Sequence, residues 1–241
     1  MPTLMSPRIA SFVVLDLEAS TYDGNESKLS VAELCMYGFP STDLKTQPIR
    51  VTPNSKICSP LPSPNLNKLT LLCNPQKVIY PTTTAMSKLD NYMLEYESCF
   101  DANTAVIITS FIKHMPQPVC LVAHGGSKHD FAIVKNTFNK LKLELPHDIL
   151  CIDSVNVFWG IDKLKECDPE FINKHNGQYP PRGTYKLKNM YERFFKEAPK
   201  VMHQAEADVE SLTHLMNVYG SDFLLYAQNH AIPFKDVGSN V

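Results

Sequence analysis

The chain is expected to fold as a single α/β domain, a mixed sheet of five strands flanked by helices. Three observations carry that expectation. The 241 residues, 44% hydrophobic and 20% charged, are enough for one full core and ordinary for a globular protein. Ser11 to Glu18 (SFVVLDLE) places β-branched and aromatic residues at both parities, the pattern of a central strand covered on both faces. Helical periodicity is concentrated late in the chain, after most of the strand-like runs.

After the first strand, Leu29 to Phe39 (LSVAELCMYGF) reads as a second and Lys68 to Cys73 (KLTLLC) as a third. Between them Pro40, Pro48, Pro53, Pro60, Pro62 and Pro64 cannot donate backbone hydrogen bonds, so 41–65 is expected to be a long surface loop. Asp101-Ala102-Asn103 caps a helix running through Phe111 and Ile112. Val119 to Ala123 (VCLVA) is the fourth strand, and the glycines of His124-Gly125-Gly126-Ser127 allow a tight turn into the next helix. Phe131, Val134, Phe138 and Leu141 form the buried stripe of that helix. Ile149 to Ile152 makes the fifth strand, and DPEFINKHNGQYPPR has no apolar period, so 166–183 is expected to be a second loop. Helices follow at Tyr185 to Phe195 and Ala205 to Tyr219. There is no internal repeat and no sign of a further domain, so 1–241 reads as one unit.

A net charge of −2 argues against wholesale coating by nucleic acid; phosphate contact would need a local basic patch or bound cations. Seven unclustered cysteines, mostly in apolar strand-like settings, read as buried reduced thiols. Met1 to Arg8 lacks the apolar core of a cleavable signal, and no run approaches a membrane span. A soluble intracellular protein of the cytoplasm or nucleus, with no membrane partner, is the expectation.

The chemistry lies in acids placed where apolar residues are expected. Asp16 and Glu18, two apart on a strand, point to the same side and can share a cation. Asp208 falls within the stripe Ala205, Val209, Leu212, Leu215, Met216, away from Glu206 and Glu210. Asp130 lies on the buried side of its helix, one turn before Val134. A buried unpaired carboxylate costs several kcal/mol, so acids that repeatedly replace core residues point to a shared metal site, that of a nuclease. Oxygen ligation without clustered cysteine or histidine favours magnesium or manganese over zinc. His203, five residues before Asp208 and ahead of its helix, is placed to act as general base near neutral pH.

The order Asp16-Leu17-Glu18, Asp130, His203, Asp208 resembles the DEDDh group of 3′-to-5′ exonucleases. FVVLDLEAS at 12–20, VAELC at 31–35, QPVCLVAHGG at 117–126, Asp130-Phe131, GTYKLKNMY at 183–191 and HQAEAD at 203–208 are similar to blocks of the TREX-type three-prime repair exonucleases. That resemblance implies an RNase H-like (DnaQ-like) sheet and two Mg2+ ions held by Asp16, Glu18, Asp130 and Asp208, with Mn2+ as a substitute. It also implies 5′-mononucleotides released from single-stranded or frayed DNA 3′ ends, and a homodimer through an outer strand. An unpaired sheet edge at Leu69 to Cys73 invites such a partner.

The same resemblance assigns substrate contacts to Glu18, Ala19 and Ser20, to Tyr22 and Met86 as wedges against terminal bases, and to His124 and His129. The chain departs from the family at Gly125, where asparagine is usual, at Ala207, where glycine is usual, and at His129, where tyrosine is usual. None of these is a metal ligand. The basic aromatic segment from Tyr185 to Lys200 reads as an amphipathic helix with its rings packed inward, except that Tyr185 and Lys186 at its start are candidates for stacking and phosphate contact. An RNA or short-oligonucleotide exonuclease and a catalytically silent nucleic-acid-binding protein are the alternative functions.

Overall fold

The computed structural model describes residues 9–20, 29–46, 63–165, 183–199 and 201–238. Six strands form one mixed sheet in the order β3-β2-β1-β4-β5-β6. They are β1 (Ser11–Ala19), β2 (Val31–Pro40), β3 (Asn67–Leu72), β4 (Val119–Ala123), β5 (Leu150–Asp153) and β6 (Ile232–Pro233). β1 pairs antiparallel with β2 and parallel with β4. Buried runs on β1, β2 and β4 match the continuous hydrophobicity of their sequences, as strands covered on both faces require.

The two faces carry separate cores. Phe12 and Val14 of β1 pack with Val122, Phe158, Val209, Leu212 and Phe223 on one side. Val13, Leu15 and Leu17 pack with Ile108, Ile112, Leu121, Phe131 and Val134 on the other. The first side is covered by α6 (Ser154–Lys165), α7 (Leu187–Phe195), α8 (Ala205–Tyr219) and α9 (Ser221–His230), the second by α4 (Ala102–His114) and α5 (Asp130–Lys140). Asp16 and Glu18 share the parity of Phe12 and Val14, so they point toward the α8 side.

The sheet has one strand more than expected. β6 is two residues long and includes Pro233, too short to show alternation, and pairs with β5 through Leu150 and Cys151. The helices α6 and α9 are also additions to the expected set. α1 (Asp43–Thr46) falls within the expected 41–65 loop, where Leu44 is buried and Ser63 Oγ donates to Asp43 at 2.6 Å; the loop's two ends are therefore held together. The middle of that loop, 47–62, and nearly all of the second, 166–182, lie outside the described residues. The helix expected from Tyr185 begins at Leu187. The described cysteines are free, and no described helix is long and apolar enough to cross a membrane.

Candidate active site

The cleft opens where β1 outruns its parallel neighbour. β1 stays registered with β2 as far as Ala19↔Val31, but its pairing with β4 stops at Val14↔Val122. The backbone edge of β1 beyond that point needs other acceptors. The Asp130 carboxylate, at the first turn of α5, supplies one by accepting the Leu17 N–H. An acid at a helix N-terminus is also favoured by the helix dipole.

Four expected ligands from three stretches converge here. Asp16 sits at the floor of the cleft, where burial and then the charges of Asp130, Asp208, Glu18 and Glu33 hold its carboxyl well above the usual range. Burial, followed by Asp208, Glu33 and Asp130, pushes Glu18 up to about 7. Burial pushes Asp130 up to about 6 against the pull of backbone N–H donors, and it raises Asp208 against the N–H of His203. Glu18, His203 and Asp208 each offer a ligand atom within 4.8 Å of the others. Mutually repelling carboxylates with one imidazole beside them are a donor set that a hard divalent cation neutralises, so the residues fit such an ion. The His203 side chain is exposed at the rim, and its residue adopts φ 58°.

Two further buried carboxylates shape the cleft and escaped the sequence reading. Glu33 pairs directly across from Glu18, is 8% exposed, and accepts the Ala205 N–H at 3.0 Å. Its setting, an acid in the buried run VAELC, is the same signal that marked Asp16. Asp153, at the end of β5, accepts the N–H groups of Gly125 (3.0 Å), Ser127 (3.1 Å) and Val155 (3.0 Å). It thereby fixes the turn that delivers Asp130.

The expected substrate contacts separate into several groups. Ala19 is half-buried beside Glu18, and His129 is exposed just ahead of Asp130. Met86, 54% exposed, lies on α2 (Pro81–Ser87). Ile79 and Leu89, which flank α2, join Leu94 of α3 (Asn91–Leu94) in packing on Ala32, next to Glu33. Ser20 is buried, and it closes the connection to β2 by donating to Ser30 O at 2.9 Å and accepting the Ser30 N–H at 3.2 Å. Tyr22 falls outside the described residues.

Two of the expected contact residues are held by partners within the fold. His124 has both ring nitrogens engaged, Nδ1 with Ser154 Oγ at 2.9 Å and Nε2 with the Tyr185 carbonyl at 2.7 Å, so it braces the fold. Tyr185 is 6% exposed and donates its hydroxyl to Asp162 at 2.7 Å, which leaves no ring face for a base. Asp162 also accepts from Arg193 at 3.0 Å and Tyr219 at 2.8 Å, and this network docks α7 onto α6 and α8. The sequence showed an aromatic beside a lysine; it did not show that Asp162 would claim the hydroxyl.

No protein-family model matches the chain. The fold is similar to that of exonuclease I, with a TM-score of 0.62 and 14% identity over 92% of this chain and 44% of that one. It is also similar to a 3′-exonuclease solved in recognition of a histone mRNA stem-loop, with a TM-score of 0.59 and 12% identity over 89% of this chain and 83% of that one. At such identities the likeness speaks to the fold, which is RNase H-like. Sequence relatives are nearer. The chain is 28% identical to three prime repair exonuclease 2 of Mus musculus over 227 residues, covering 93% of this chain and 90% of that protein. It is 30% identical to three-prime repair exonuclease 1 of Bos taurus over 232 residues, covering 95% of this chain and 70% of that protein. With 30% identity extending over 95% of this chain and 70% of the Bos taurus protein, the chain belongs to the three-prime repair exonuclease family.

Proposed function

We propose that the protein is a metal-dependent 3′-to-5′ DNA exonuclease that releases 5′-mononucleotides from single-stranded or frayed ends. The observation that carries this reading is the convergence of Asp16, Glu18, Asp130 and Asp208 on one cleft, where the charges of Asp130 and Asp208 add to burial in raising Asp16 and Glu18. The relatives' names give the exonuclease class and the end attacked.

Two divalent cations, Mg2+ with Mn2+ as substitute, would supply Lewis-acid stabilisation of the charge that develops on the scissile phosphodiester. Asp16, Glu18, Asp130 and Asp208 would hold them, with Asp16 shared between the two. The His203 imidazole, open to solvent at the rim, takes the proton of the water whose oxygen bonds to phosphorus as the bond to the 3′-oxygen breaks. Ala19, Met86 and His129, partly or well exposed, are proposed to contact the terminal nucleotide. β3 is the edge strand of the sheet and is proposed as the seam of a homodimer. The whole chain is proposed to be a single domain.

A second reading, RNA as substrate, is favoured by the neighbour solved on an mRNA stem-loop, whereas exonuclease I was solved with dT13 and dA16 oligonucleotides. Digestion of matched DNA and RNA oligonucleotides labelled at either end, with and without Mg2+, separates the two. Progressive shortening of 5′-labelled DNA and immediate release of a 3′ label as mononucleotide are expected, and excess chelator abolishes both. Equal degradation of RNA would transfer the assignment to the second reading, and internal cuts or chelator-resistant activity would reject both.

A further inference from the structure

Glu18 and Glu33 face each other across β1 and β2, a direct antiparallel pair whose side chains share one side of the sheet. Like charges so placed repel, and in a cleft already holding Asp16 and Asp208 a further acid needs a reason. The reason is visible at the other end of the Glu33 side chain. Its Oε2 accepts the buried N–H of Ala205, the first residue of α8, at 3.0 Å. Gln204, at the N-cap position of that helix, makes no side-chain cap. The helix start is therefore capped from β2, and the positive end of the helix offsets the charge of the acid.

The residues on either side of Ala205 give this contact its consequence. Asp208 lies three residues on in the same helix, and His203 stands two residues before Ala205, with its N–H on the Asp208 carboxylate. The next side chain of the turn, Glu206, is held by β2 as well, because Tyr37 donates its hydroxyl to it at 2.7 Å. One strand thus grips the helix start at two points, one of them opposite Glu18.

We infer that Glu33 is a positioning residue: by accepting the Ala205 N–H it sets the helix start that carries His203 and Asp208 against the strand that carries Asp16 and Glu18. It acts as an acceptor, not as a metal ligand. This rests on the proposed exonuclease site, but the contact itself can be measured apart from it.

The test compares Glu33→Gln, which keeps an amide oxygen to accept the N–H, with Glu33→Ala, which does not. Glu33→Gln is expected to retain turnover within about threefold of the parent, whereas Glu33→Ala loses about 30-fold or more in kcat, as displaced catalytic groups do. KM for the oligonucleotide stays within about threefold in both. Two readouts need no substrate. Hydrogen exchange at the Ala205 amide accelerates in Glu33→Ala and stays slow in Glu33→Gln, and Mn2+ titrated into the protein alone binds more weakly only to Glu33→Ala. Equal impairment of both variants in Mn2+ binding would show that the charge matters, as in a metal ligand, and overturn the inference, as would slow Ala205 exchange in Glu33→Ala. If Glu33→Ala does not fold, Glu33→Asp, whose reach is one methylene shorter, takes its place. A parent protein without nuclease activity would defeat the proposed function, while the exchange and Mn2+ measurements would still decide the role of Glu33.

Discussion

The backbone N–H of His203 donates to the Asp208 carboxylate over 3.1 Å, which joins the proposed base and the last of the four acids in one local turn. The backbone, not the ring, makes that contact, and the imidazole is the proposed proton acceptor. His203→Asn is the informative substitution, since asparagine tolerates the left-handed φ of 58° found there but supplies no base. Its turnover is expected to fall by about 100-fold or more, with oligonucleotide affinity by fluorescence anisotropy changed by no more than about threefold. Parental turnover in His203→Asn would remove the histidine from the mechanism.

The acid cluster predicts how the metal-free protein responds to pH. Folding raises Glu18 from 4.5 to about 7 and Asp130 from 3.8 to about 6. Across that interval the folded chain keeps protons that the unfolded chain has already released, so the stability this contributes is present in acid and lost as pH rises through the folded values. The thermal midpoint of chelator-treated protein should therefore decline from pH 5 toward pH 7.5 relative to an Asp16→Asn, Glu18→Gln double variant, which lacks two of the acids that must give up a proton in the folded state. Saturating Mn2+ should reverse the decline in the parent. A flat difference between the two proteins across this range would contradict the clustering.

Much of this was legible from the residues themselves. β1 and β4 are continuous apolar runs, and Asp16, Asp130 and Asp208 each interrupt an otherwise buried pattern, so burial against charge was visible in one dimension. What was not legible depends on partners far away in the chain. Tyr185 and Asp162 are 23 residues apart, and His124 and Tyr185 are 61 apart; no local pattern tells a ring committed to such a partner from one free to stack. Glu33 had the same signature as Asp16 but lacked a neighbouring acid in sequence, and its partner, the Ala205 N–H, is a backbone group with no residue identity to read.

His124 offers a clean separation between bracing and substrate contact. Removing its ring deletes the bond to the Tyr185 carbonyl and leaves the Ser154 hydroxyl with its bond to the Ala123 carbonyl, which should cost about 1–3 kcal/mol in His124→Ala by chemical denaturation. Unchanged stability with a raised KM would restore His124 to the substrate site.

The two glycines that lead to Asp130 should respond in opposite ways. A Cβ on Gly126 would meet Ala123 Cβ at 2.5 Å and the Phe131 ring at 3.1 Å, so Gly126→Ala should lose about 1–3 kcal/mol and displace the turn that carries Asp130. At Gly125, with φ 77°, a Cβ meets nothing within 4 Å, and asparagine tolerates that backbone. Gly125→Asn should stay within about 1 kcal/mol of the parent. Denaturant midpoints for the two variants check both, and a Gly126→Ala as stable as Gly125→Asn would contradict the packing described for the turn.

Acids from three stretches are proposed to bind divalent cations together, and a titration of Mn2+ into the protein, followed by electron paramagnetic resonance, decides whether they do. The parent should bind Mn2+ saturably, and Asp16→Asn, which removes the charge at the floor of the cleft, should weaken that binding by about 30-fold or more. The same isotherm for both proteins would show that the cleft is not a metal site.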